Sequence, residues 1–285
     1  MSRSMVDELK AKMLHSGSRL NLFIGINIIV FLVIGILKLV SFLGISPALA
    51  AIAVENLRLP AYLPALLVKP WTLLTYMFTH LEFFHFLFNM LWLYWMGRIF
   101  EEFLNNRQFT FTYLAGGFAG AFLYILFYNV FPVYQDDLPL ARMHGASAGV
   151  MAIIVATATL LPDYEIRLLL IGGVRLKYLA LVYIVLDVIG IAGANSGGSL
   201  AHLGGALLGF VFIKRLQAGS DWSKLFNREK RFKVIRNEPA KSSTSYSALP
   251  DQEVIDRILD KISKSGYDSL SKQEKEQLFR ASNKK

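Results

Sequence analysis

"HGASAGVMAIIVATATLL", residues 144–161, decides how this chain is read. The stretch carries one serine, Ser147, flanked by Gly145, Ala146, Ala148 and Gly149, and then runs apolar to Leu161. Small residues around a serine either let helices approach closely or clear space for a hydroxyl that reacts. Both readings place the segment inside a membrane, and the composition agrees. Of 285 residues, 54% are hydrophobic and 13% aromatic. Several apolar stretches reach about 17 residues or more, which an ordinary soluble chain does not carry. Cysteine is absent, which excludes disulfides and thiol catalysis. The first twenty residues mix charges of both signs and lack the basic, apolar and small-residue succession of a cleavable signal, so the first apolar run is expected to be retained.

The expected fold is all-α: a polytopic membrane bundle of six transmembrane helices with a small cytoplasmic helical pair at the C-terminus. The spans read as Leu20–Leu43, Trp71–Gly97, Phe109–Phe131, Ala146–Leu161, Tyr178–Ile191 and Ser199–Ile213. "EIRLLLIGGVRLK", before the fifth span, carries three basic residues and a Gly-Gly pair, so it reads as an interfacial connector. The net charge of +9 is a topology signal rather than a sign of nucleic-acid binding. Arg3, Lys10, Lys12 and Arg19 share a side with Arg98, Arg107, Arg167, Arg175, Lys177, Lys214, Arg215 and the basic tail. The other side holds Arg58, Lys69 and Arg142. Both termini are therefore expected in the cytoplasm, with the chain in the cell membrane.

Residues 1–19 form a cytoplasmic N-terminal segment and 20–216 the membrane domain, within which 44–70 is apolar enough to lie in the outer interface. Residues 217–250 join a basic juxtamembrane stretch, "KLFNREKRFKVIR", to a flexible linker. That stretch would be drawn to anionic lipid. In the helical pair of 251–285, Val254, Ile258, Leu259 and Ile262 share one face, and Ser271 with Glu274 has capping-box spacing. Two helices this short make a poor core alone, so a cytoplasmic partner, self-association or the membrane surface is expected to support them.

Polar groups inside spans are costly and tend to be functional. Rising about 1.5 Å per residue from the cytoplasmic edge, His85 lies ~20 Å up, Asn89 ~14 Å, Ser147 ~22 Å, Asp187 ~15 Å and His202 ~18 Å. Ser147, His85 and His202 thus share one layer. Ala201, Gly205 and Gly209 recur every four residues, and Gly145 and Gly149 repeat that spacing around Ser147. This pattern presses the fourth and sixth spans together with Ser147 and His202 at their contact. A serine beside an imidazole is the minimum for an activated hydroxyl. Asp187 reads as structural or as a group that orients a histidine. Arg98 and Glu101 read as an interfacial i,i+3 pair. His80 and His85 stand about 140° apart on a helix, and no H-E-x-x-H occurs. Neither a metal nor a cofactor is expected.

Three motifs resemble one family. "GASA" at 145–148 resembles the G-x-S-[GA] serine motif of the rhomboid intramembrane proteases. "HLEFFHFLFN" at 80–89 resembles their H-x-x-x-x-H-x-x-x-N second span, and "AHLGGALLGF" at 201–210 their A-H-x-x-G-x-x-x-G sixth span. The match runs over about Leu20–Arg215 in the same order. The resemblance implies a serine–histidine dyad without an acid: Ser147 as nucleophile and His202 as general base. It also implies an oxyanion site from the Ser147 N–H with the side chains of His85 and Asn89. Gly145, Ala146 and Ala148 would keep the approach open, while Gly205 and Gly209 serve packing. The implied substrates are single-span membrane proteins whose helix unwinds near its outer end. Two positions depart from the pattern: Ala148 where many members have glycine, and Met151 where many bacterial members place a tyrosine against the histidine.

Two other readings stand beside the protease. A rhomboid-like pseudoprotease would hold transmembrane clients without cutting them, but such relatives generally lose the serine or histidine that is present here. A transporter could use His85, Asp187 and His202 as a proton relay, yet no paired repeat halves are visible.

Overall fold

A computed structural model describes residues 17–168, 172–226 and 252–282. The chain divides into two compact units, residues 1–228 and 229–285. The first is built on α1 (Arg19–Phe42), α2 (Leu49–Leu57), α3 (Leu63–Val68), α4 (Thr72–Thr75), α5 (Phe83–Phe103), α6 (Asn106–Val130), α7 (Ser147–Leu160), α8 (Leu176–Gly190) and α9 (Ser196–Gln217). The fold is all-α, with two short antiparallel ribbons. Strand β1 (Leu59–Pro60) pairs with β2 (Arg142–Met143). Strands β3 (Glu165–Leu168) and β4 (Gly172–Arg175), within the expected interfacial connector, also pair antiparallel.

Three of these helices, α1, α6 and α9, are long and apolar enough to cross a membrane. Their lipid-facing character shows in exposed aliphatic side chains, for example Ile29, Leu32 and Ile36 on α1. A soluble fold would not leave such a face open. On α8, Leu186 and Ile189 are exposed in the same way. Helix α7 is the opposite case. Its residues from Ala148 to Ala158 are buried on every side, as a central helix requires.

Close backbone approach holds α7 in place. A methyl group on Gly205 would overlap the carbonyl oxygen of Ala148, and one on Gly209 that of Ala152. Glycine is required at both because α9 lies directly on the α7 backbone. Gly205→Val is expected to cost about 1–3 kcal/mol through overpacking, read as a lower unfolding midpoint in detergent. Gly35→Ala is the control, since open space surrounds that position. An unchanged midpoint for Gly205→Val would contradict the close approach.

The second expected span differs from the structure. Residues Trp71–Gly97 do not form one helix: α4 runs into a 3-10 turn at Tyr76–Phe78, the chain extends through Thr79, and α5 begins after Glu82. The break has a tertiary cause. His80 is completely buried and its Nε2 accepts the Ala146 N–H at 3.2 Å, a bond that a continuous helix would forgo. The expected Arg98–Glu101 pair is also absent. Glu101 instead accepts hydrogen bonds from the Ser18 hydroxyl and the Leu20 N–H, anchoring the start of α1 to α5. Helix α6 starts three residues before its expected start, because Asn105 and Gln108 form a capping box.

Residues 44–70 fold as α2, β1 and α3. Glu55 joins this segment to β2 through Arg142, with N···O 2.7 Å, and also pairs with Arg58 at 3.0 Å. Partial burial pushes the Glu55 carboxyl up. The hydrogen bonds and charges of Arg142 and Arg58 outweigh that and hold it below its ordinary value.

The second unit contains α10 (Gln252–Ser265) and α11 (Lys272–Ser282). Among the described residues, Ile258 and Leu270 are its buried apolar side chains. The Ser271 N–H donates to Glu274 at 2.7 Å, the Glu274 N–H donates to the Ser271 hydroxyl at 3.3 Å, and Lys261 Nζ lies 2.9 Å from the same carboxylate. The Lys261 hydrogen bond, followed by the Ser271 N–H, lowers the Glu274 carboxyl from 4.5 to about 2. A depressed carboxylate stabilises the fold above its unfolded pKa, and this contribution disappears as pH falls through the folded value. Protection of the Ser271 amide from hydrogen exchange is therefore expected to decline between pH 4.5 and about 2. In Glu274→Gln that decline should vanish.

Candidate functional site

The loop before α7 is fixed by two backbone donors. Gly145 N–H donates to the Tyr76 carbonyl at 2.9 Å, and Ala146 N–H to His80. Gly145 has φ +119°, a conformation that suits glycine. Ser147 is thus the first helical residue of α7, where backbone N–H groups have no intrahelical acceptor. The positive end of the helix dipole is at the same place.

Space around the serine depends on Gly145. A methyl group there would stand 2.7 Å from His85 Cε1, 2.9 Å from His85 Nε2 and 3.7 Å from Ser147 Oγ. The His85 ring therefore packs over the glycine with Nε2 on that side. Its Nδ1 lies 3.5 Å from Glu82 Oε2. One turn further on, the Asn89 side chain donates to the His85 carbonyl at 2.8 Å.

Ser147, His202, His85 and Asn89 line one cavity of about 1060 Å³. His202 reaches it from α9, and its Nδ1 lies 2.8 Å from Asp187 Oδ1 on α8. Asp187 is buried. With Nδ1 committed to the carboxylate, Nε2 is the nitrogen left for the cavity. A carboxylate behind the imidazole departs from the acid-free dyad that the sequence motifs implied. Ala146 and Ala148 are buried beside Ser147, and Met151 lines the cavity one turn below it. Gly205 and Gly209 lie at the α7–α9 contact.

A family model described as the Rhomboid domain matches residues 68–217, more than half of the chain and the whole of this site. The chain belongs to the rhomboid family. Rhomboid proteins are membrane proteins, in keeping with the apolar helices above. Presenilin-associated rhomboid-like protein A, mitochondrial, of Danio rerio is 29% identical over 143 residues. That alignment covers 48% of this chain and 35% of the relative, so the chain spans about a third of the relative's length. Residues 249–284 match a separate family of unknown function, DUF6576.

Sequence reasoning missed two features of this rhomboid site and left a third, the role of Asp187, open between two readings. His80 secures the backbone just before Ser147. Asp187 meets His202, which the similar estimated depths of the two residues hinted at. Glu82, His85 and His144 bring three ligand atoms within 4.8 Å of one another, a set split between α5 and the loop before α7. Spacing within one helix could not reveal it.

Proposed function

We propose that this rhomboid is an intramembrane serine endopeptidase acting on single-span membrane proteins. The observation that carries this reading is the shared cavity of Ser147 and His202, with the far nitrogen of His202 held by Asp187. In the proposed reaction, His202 Nε2 takes the Ser147 hydroxyl proton as Oγ attacks the scissile carbonyl carbon. The oxyanion is stabilised by the Ser147 N–H at the α7 terminus together with His85 and Asn89. The imidazolium returns its proton to the leaving amine, and water then hydrolyses the acyl-serine. The cavity suits a membrane substrate, because Phe84 and Phe88 of its lining are large apolar side chains exposed at the surface. A segment entering there must unwind, since a helix hides its carbonyls in its own hydrogen bonds.

The remaining features belong to the same proposal. All six long elements, α1 and α5 to α9, cross or enter the bilayer, with both termini on the cytoplasmic side of a cell membrane, as the distribution of lysine and arginine supports. Residues 20–216 form the membrane domain, 217–250 the basic stretch and linker, and 251–285 a cytoplasmic module for a partner or a second copy. The test is labelling of the purified, detergent-solubilised chain with a fluorophosphonate probe. The expected result is one adduct, on Ser147. A folded protein that stays unlabelled would overturn the protease and favour a client-holding pseudoprotease.

A further inference from the structure

The geometry points to a transition-metal site, best suited to zinc, formed by Glu82, His85 and His144 at the mouth of the cavity and acting on Ser147 through His85. Glu82 Oε2 lies 3.3 Å from His144 Nε2 and 3.5 Å from His85 Nδ1. With zinc–ligand bonds of about 2.0–2.2 Å, two ligands of a tetrahedral ion stand about 3.4 Å apart. Two edges of that tetrahedron are therefore already set. The third, between the imidazoles, is at most 4.8 Å. His144 sits on a loop and Glu82 is exposed, so this edge closes by rotation of side chains that regular elements do not hold. Two neutral imidazoles and one carboxylate form a donor set that zinc uses in open sites, leaving a fourth position for water. All three residues line the cavity, so an ion can reach them.

The consequence concerns the His85 tautomer and rests on the protease reading above. Without an ion, the carboxylate of Glu82 favours the proton on His85 Nδ1. Nε2, the nitrogen next to Gly145 and Ser147, is then a lone pair and cannot donate to an oxyanion. An ion on Nδ1 forces the proton onto Nε2 and polarises that N–H. Metal occupancy thus switches His85 from acceptor to donor on the side where charge develops.

The test uses the full chain in detergent, stripped with a chelator and titrated with Co²⁺ followed by absorption, then with Zn²⁺ in competition. The expected result is one saturable site, weakened by more than about tenfold in Glu82→Gln and in His144→Asn. Zn²⁺ should also raise the rate of fluorophosphonate labelling of Ser147, with about 10³ as the ceiling for one oxyanion donor. His144→Asn, which keeps Glu82, should label at the metal-free rate whether or not Zn²⁺ is present, and Glu82→Gln, which loses the carboxylate that holds the proton on Nδ1, should label at a rate that Zn²⁺ does not change. No saturable binding, or binding that both variants leave unchanged, overturns the site. Binding at the site with labelling unchanged or slowed overturns the tautomer switch. A metal-free protein that labels at Ser147 but binds no ion separates failure of this inference from failure of the protease reading.

Discussion

Ser147→Ala and His202→Ala are each expected to lower cleavage of a single-span reporter in proteoliposomes by about 10⁴–10⁶, and the double variant should be no worse than the weaker single one. Residues that act as one unit lose their whole effect when either is removed, as in well-studied serine hydrolases. What remains comes from binding and the oxyanion donors. The non-additivity matters more than the size of the loss, because two independent structural defects would multiply. Ser147→Ala should leave stability unchanged, whereas His202→Ala strands the buried Asp187 carboxylate and is expected to lower the unfolding midpoint. Ser147 is only half-buried at the cavity wall, and truncating it strands no buried partner, so the unfolding midpoint should correspond to a change within about 0.5 kcal/mol. Single-variant activities within about tenfold of wild type, measured on folded protein below its unfolding midpoint, would remove Ser147 and His202 from the chemistry.

The parts of this site that were legible in the sequence are those fixed by spacing along one helix. Gly205 and Gly209 announced a close helix contact because a four-residue repeat of small side chains has one physical use in an apolar helix, and both meet the α7 backbone. Ser147, His85 and His202 shared an estimated depth because helical rise is constant, and they share a cavity. What escaped depended on bonds between segments distant in sequence. The apolar run from Trp71 to Gly97 gave no sign that His80 would leave the helix to accept the Ala146 N–H. Spacing alone did not pair Glu82 with His144, 62 residues away. The antiparallel pairing of 165–168 with 172–175 is likewise a bond between segments, which helical periodicity does not register.

Asp187 is the residue for which depth was readable and direction was not, and its substitution gives the second large effect. Asp187→Asn is expected to lower kcat by about 10²–10⁴ with KM little changed, by comparison with the corresponding change in serine hydrolases. The carboxylate can only accept, so it holds the proton on His202 Nδ1 and keeps Nε2 as a base. An asparagine that turns its NH2 toward Nδ1 would reverse this: the proton moves to Nε2, and the imidazole can no longer take the Ser147 proton. Fluorophosphonate labelling should fall in parallel, because that reaction needs the same proton transfer. Stability separates this role from simple packing. Asp187 Oδ2 is buried with no hydrogen-bond partner among the described residues. Exchanging that unpartnered, charged group for a neutral amide of the same shape should therefore leave the unfolding midpoint unchanged or raise it. If Asp187 only glued α8 to α9, activity and midpoint would fall together, and Asp187→Glu would restore neither. A stable Asp187→Asn protein with full kcat would show that Ser147 and His202 work as a dyad, with the carboxylate a bystander.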